Sequence, residues 1–240
     1  MNKQTFLTLL ATFALLFSFT FSCHAKGKDK AKHVVFIGLD GWGAYSLPKA
    51  DMPNVKKLME DGAYTLKKRS ALPSSSAINW ASMFMGAGPE LHGYTEWGSK
   101  TPELPSRVLN KNGIFPTVFQ LLRDARPEAE IGCLYEWEGI KYLVDTLSLS
   151  YHYHVADCNK TPKELGNMAS SYIKEKHPAL VAICYDGPDH TGHTAGHDTP
   201  EYYEKLKELD VYVGQIVQAV KDAGMLDDTI FILTSDHGGI

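Results

Sequence analysis

Three continuous apolar runs stand out along the chain: His33 to Leu39, Ala179 to Tyr185 and Thr229 to Thr234. Each is short and does not alternate, as a strand buried on both faces of a parallel sheet requires. Between them, apolar residues recur at helical spacing. Asp51 to Asp61 carries Val55, Leu58 and Met59 on one face, with Pro53 near its start and Gly62 as terminator. Thr117 to Leu122 predicts a short helix ending before Pro127. Thr161-Pro162-Lys163-Glu164 has the cap, the proline and the reaching-back glutamate of a helix start, and that helix runs toward Lys176. Thr199-Pro200-Glu201 opens another, carried by Tyr203, Leu206, Leu209, Val213, Ile216 and Val220 and stopped at Gly224. Alternating strands and helices predict an α/β fold: a mainly parallel sheet with helices on both faces.

The first residues follow a different pattern. A positive start at Lys3, an apolar stretch from Phe6 to Phe21 and a small residue at Ala25 predict a secretory signal peptide over 1–25, leaving 26–240 as one catalytic domain. The apolar stretch is short for a membrane span, which needs roughly 20 residues. Cys23 resembles a lipoprotein anchor site only loosely, because Thr20 stands where an aliphatic residue belongs. The expected destination is the periplasm or the extracellular space. A net charge of −4 gives no reason to expect binding to a nucleic-acid polymer. None of the four cysteines is spaced for a thiolate zinc site; three remain after cleavage, enough for at most one bridge. The oligomeric state stays open.

The strand ends carry the chemistry. The first run leads into Asp40-Gly41, the second into Asp186-Gly187-Pro188-Asp189-His190-Thr191-Gly192-His193, the third into Ser235-Asp236-His237-Gly238. Ligands of open α/β sheets bind beyond the carboxyl ends of the strands. The topology therefore gathers Asp40, Asp189, His193, Asp236 and His237 at one rim, as mixed oxygen and nitrogen donors suited to zinc. Their number suggests two ions. Separately, each is ordinary loop chemistry; three such endings in one chain favour a metal site. Ser74, Ser75 and Ser76 precede the apolar stretch Ala81 to Met85 and read either as a helix cap or as a nucleophile at a helix N-terminus, where amides also receive phosphate oxygens.

Gly38-Leu39-Asp40-Gly41, Ser76 with Asn79, Gly86-x-x-Pro89-Glu90-x-His92-Gly93, Pro188-Asp189-x-x-Gly192-His193 and Ser235-Asp236-His237-Gly238 occur in that order. Together, from Val34 to Gly238, they resemble the alkaline phosphatase superfamily, and within it the type I phosphodiesterases and nucleotide pyrophosphatases. The resemblance implies an alkaline-phosphatase-like core and two Zn2+, with Asp40, Ser76, Asp236 and His237 on one ion and Asp189 and His193 on the other. It selects Ser76 as nucleophile, counting back from Asn79 and from Gly86, and implies that Asn79 and the Ala77 amide contact a phosphoryl oxygen. The second ion's third ligand in the family is a histidine farther on, so the domain reads as C-terminally incomplete and the second site as short of a protein ligand. His190 and His197 are read as loop residues.

The implied activity is hydrolysis of small phosphodiesters or pyrophosphates through a phosphoseryl intermediate. Serine where the family's diesterases usually have threonine leaves a phosphomonoesterase open, and an incomplete zinc-binding fragment of low activity is the non-enzyme alternative. The Cys/Ser-x-Pro-x-Arg segment of sulfatases is missing at Ser76, and export argues against the intracellular phosphoglycerate mutases. Trp42, Tyr45, Trp80, Tyr94 and Trp97 lie near the ligand motifs, as stacking partners for a planar leaving group or as packing. The segment from Thr95 to Asp157 carries no ligand motif; in the family such a region shapes the leaving-group pocket.

Overall fold

The three apolar runs form neighbouring strands. In a computed structural model that describes residues 31–156 and 162–239, β1 (His33–Leu39) lies between β4 (Leu180–Tyr185) and β5 (Thr229–Thr234). Two further strands, β2 (Ile131–Tyr135) and β3 (Tyr151–His154), complete a five-stranded sheet of order β3-β2-β4-β1-β5. Every pairing is parallel, so all carboxyl ends share one edge. The helices are α1 (Pro53–Asp61), α2 (Ser76–Met85), α3 (Pro89–His92), α4 (Val118–Ala125), α5 (Pro162–Lys176), α6 (Gly187–Ala195) and α7 (Pro200–Asp222). The signal segment, Cys23, Asp157, Cys158 and the Thr161 cap lie outside the described residues. Among those described, no helix is long and apolar enough to cross a membrane.

Side chains alternate across each strand and build two cores. On one face Val35, Ile37, Leu39, Val181 and Ile183 pack with α1, α5 and α7. On the other Cys133, Ala182 and Cys184, flanked by Val34 and Phe36, pack with α2 and α4. This is the three-layer arrangement expected. Cys133 and Cys184 are buried and free. β4 is buried throughout, whereas β5 forms an edge with Ile230 and Ile232 half-exposed.

Sequence and structure differ in three places. Thr95 to Asp157 supplies two strands rather than only a pocket wall; Gly132 and Cys133 weaken the apolar signal of β2, and the Tyr-His-Tyr-His of β3 carries none. The long helix α7 buries Tyr202, with Leu206, Leu209, Val213, Ile216 and Val220, while Tyr203 sits at the margin. And α1 starts at Pro53 with no side-chain cap of its own. Its cap comes from α7: buried Asp210 accepts from Asn54 N at 3.0 Å and Val55 N at 2.8 Å. Asp210→Ala leaves these amides unsatisfied and should lower stability by about 1–3 kcal/mol. Urea unfolding measures this; an unchanged midpoint would show that water replaces the carboxylate.

Candidate active site

Asp40 is the first residue beyond β1, almost fully buried, and its Oδ2 accepts from Trp80 Nε1 at 2.8 Å. The indole reaches it by lying across Gly38, where a Cβ would stand 2.1 Å from the Trp80 ring. Gly41 turns the chain with φ +66° and donates its N–H to Asp236 Oδ1 at 3.2 Å. A Cβ at Gly41 would fall 2.8 Å from the Asp189 Cα, so the end of β1 packs backbone to backbone on α6. Both glycines are required by close approach, and Gly41 also by its left-handed conformation.

The sequence-predicted ligands meet at this edge. His237 Nε2 stands 3.4 Å from Asp40 Oδ1, 3.3 Å from Asp236 Oδ2 and 3.1 Å from Ser76 Oγ. Ser76 Oγ donates to Asp40 Oδ1 at 3.5 Å. Donor atoms of Asp40, Asp189 and His237 lie within 4.8 Å of one another. His193 joins only through Asp189, its Nε2 3.2 Å from Asp189 Oδ2 one turn back on α6, and its ring is exposed. Ser76 is the first residue of α2, after Ser75 at the cap position. His190, expected in a loop, lies inside α6; His197 is in the turn after it. A Cβ at Gly192 or Gly239 would stand 2.1 Å from the His197 ring, so the imidazole fills the gap between α6 and the segment following β5.

The charge distribution is that of a cation site. Burial pushes the Asp40 carboxyl well above the usual carboxylate range, helped by Asp236, Asp186 and Asp189. Burial pushes Asp236 to about 6 against the opposing pull of His237. Asp236 Oδ2 is sealed from solvent with no hydrogen bond. His237 Nδ1 donates to Gly238 O at 2.9 Å, which orients the ring with Nε2 toward the cluster. Crowded buried acids, a carboxylate oxygen without a hydrogen bond and an imidazole facing both acids fit a divalent ion such as zinc.

A profile of the family described as type I phosphodiesterase / nucleotide pyrophosphatase matches residues 34–240. The chain belongs to this family. It is a branch of the alkaline phosphatase superfamily, as the motif order implied. Among curated relatives, the bis(5'-adenosyl)-triphosphatase enpp4 of Mus musculus is 26% identical over 221 residues, 88% of this chain and 48% of that protein. The Mus musculus ectonucleotide pyrophosphatase/phosphodiesterase family member 1 is 24% identical over 214 residues, 85% of this chain and 24% of that protein. The chain thus spans half or less of these relatives' length. Among solved structures, murine ectonucleotide pyrophosphatase/phosphodiesterase 5, an inactive form in complex with AMP, aligns with TM-score 0.66 at 19% identity over 86% of this chain and 57% of that one. A 2-O GAG sulfatase aligns with TM-score 0.68 at 13% identity over 87% of this chain and 58% of that one. At these identities the likeness is one of fold.

Several family-derived expectations meet a different local geometry. Asn79 is buried; its Oδ1 accepts from Ala71 N at 2.6 Å, and its Nδ2 donates to Ser75 O at 3.0 Å and Ala71 O at 3.3 Å. The Ala77 N–H donates to Trp97 O at 3.1 Å. Both groups expected on a phosphoryl oxygen are therefore engaged within the protein. Trp80 and Tyr94 are core residues, so neither can stack on a leaving group. Trp42 and Tyr45 are half-buried, and Trp97 is 69% exposed beside the start of α2.

One residue of this rim has no motif to announce it. Glu136 follows β2, is 5% exposed, and accepts from Asp186 N at 2.7 Å. Its carboxyl is pushed up to about 8, first by burial and also by Asp186, against the pull of the Asp186 and Gly187 amides and Lys205. A folded-state pKa above the ordinary 4.5 adds stability that is complete below about 4.5 and is lost as pH rises to about 8. The thermal midpoint of the metal-free chain should therefore fall between about pH 5 and 8, and fall less in Glu136→Gln, which cannot ionise. Parallel curves for the two proteins would assign the pH dependence elsewhere.

Proposed function

We propose that this chain is a two-metal hydrolase of small phosphodiesters or pyrophosphates, with Ser76 as nucleophile. The supporting observation is the position of Ser76 Oγ, at a helix N-terminus, 3.1 Å from His237 Nε2 and in reach of Asp40. Asp40, Asp236, His237 and Ser76 form the ligand set for one Zn2+, and Asp189 with His193 for the other. When bound, the two ions supply Lewis-acid charge that favours the serine alkoxide and neutralises the phosphoryl oxygens. Trp80 holds Oδ2 of Asp40 and the Gly41 N–H holds Oδ1 of Asp236, which fixes where one oxygen of each acid points. Ser76 Oγ attacks phosphorus in line, the ester oxygen opposite leaves, and a phosphoseryl group remains. Water then attacks from the vacated side, the P–Oγ bond breaks and Ser76 Oγ takes back a proton; two inversions give net retention.

The first turn of α2 receives the phosphoryl group, with a phosphoryl oxygen taking the place of Trp97 O on the Ala77 N–H. Asn79 ties Ser75 and Ala71 to the first turn of α2, so in this reading it holds the nucleophile's loop. Residues 26–240 belong to the catalytic domain. Export to the periplasm or beyond the cell rests on the signal-like residues 1–25.

Ser76→Ala removes one ligand of several but the whole nucleophile. It should abolish release of the aryl group from a bis-aryl phosphodiester, at least about 10³-fold, while zinc content persists. Near-normal turnover would end the covalent mechanism. Faster cleavage of an aryl phosphate than of the diester would instead favour a phosphomonoesterase. For metal, the set containing Asp40, Asp236 and His237 should hold about one zinc per chain through dialysis, and the Asp189/His193 pair a second only weakly. Elemental analysis of the 240-residue protein decides this; two tightly held ions would reveal a further ligand.

A further inference from the structure

The helix bearing Asp189 and His193 begins without a cap of its own: Asp186 occupies the cap position and its side chain bonds to no helix amide. Asp189 sits in the first turn of this helix, and as a metal ligand it must keep its carboxylate in a fixed place. We propose that Glu136 is a positioning residue for the Asp189/His193 ligand pair, capping α6 from the neighbouring strand. The inference rests on the two-metal reading above and concerns only which residue aligns the second ion's ligands.

The geometry ties three elements together. The Glu136 backbone is fixed on both sides, its N–H donating to Cys184 O of β4 at 3.1 Å and its carbonyl accepting from His154 Nε2 of β3 at 2.9 Å. From this rigid base the carboxyl oxygen Oε2 receives the Asp186 N–H at 2.7 Å. The opposite side of the turn is closed by Lys205 of α7: a Cβ at Gly187 would stand 3.1 Å from its Cδ. The first turn of α6 is thus gripped between a carboxyl group on the sheet and an aliphatic stem on α7. Asp40, Asp236 and His237 stand at the ends of β1 and β5, on strands that this grip does not include. Loss of Glu136 should therefore disturb one ligand set and spare the other.

The test is a cobalt(II) titration of the metal-free 240-residue chain, followed by visible absorption and fitted to a tight and a weak phase, with circular dichroism as the check on folding. Glu136→Ala should weaken the weaker phase about tenfold or more and leave the tighter phase within about threefold, the range by which outer partners of metal ligands act. Glu136→Gln keeps an oxygen for the Asp186 N–H and should restore the weak phase to within about threefold of the parent. If the alanine variant does not fold, Glu136→Asp takes its place: it withdraws the carboxyl by one methylene and should lose the weak phase where glutamine keeps it. Equal weakening of both phases, or of neither, overturns the proposal, as does a glutamine variant no better than alanine. A parent chain that takes up no cobalt at all overturns the metal reading itself, a result seen before any variant is made.

Discussion

Everything at the working edge depends on one constraint: Asp40 and Asp236 are carried into the protein interior at the ends of adjacent parallel strands. A buried carboxylate without a counter-charge is costly, and two side by side are worse. The fold accepts this because the strands on either side are locked in register, β1 with β5 from His33–Thr229 to Gly38–Thr234. The acids cannot separate without breaking that ladder. A divalent ion at such a site would relieve a repulsion that the sheet imposes.

Around the acids, small residues set the distances. Gly38 admits the Trp80 ring, which turns Asp40 through one indole N–H. Gly41 lets α6 close on the end of β1. The Tyr202 hydroxyl bridges Gly41 O at 2.8 Å and Gly43 N at 3.1 Å, anchoring the same turn to α7. Ser76 comes from the opposite layer, on α2, so the site joins both cores across the rim. Its chemistry and its packing are in this sense the same problem. Asp40, for one, is oriented by an indole that is itself buried in the core.

Much of this was legible in the residues. The apolar runs of β1, β4 and β5 and the acids that follow them state both the sheet and the rim, because a parallel strand must be apolar and its carboxyl end must carry the function. The order of the motifs carried the family, and Ser76, singled out by the count back from Asn79 and Gly86, lies beside Asp40 and His237. Less legible were β2, diluted by Gly132, and β3, whose Tyr-His-Tyr-His lies at an exposed sheet edge and needs no apolar signal.

What the sequence determined by itself is therefore the set of elements with strong local patterns and the residue types able to hold metal and attack phosphorus. These depend on periodicity and short spacing, which the chain writes down directly. Only the tertiary structure decided that Asp210 caps α1, that Glu136 accepts the Asp186 N–H, that Trp80 faces Asp40 rather than a leaving group, and that Asn79 and the Ala77 amide are engaged internally. Each is a contact between residues distant in sequence, or a choice among hydrogen-bond partners of similar strength. No local pattern encodes such a choice; it is settled by which backbone the packed layers bring within 3 Å.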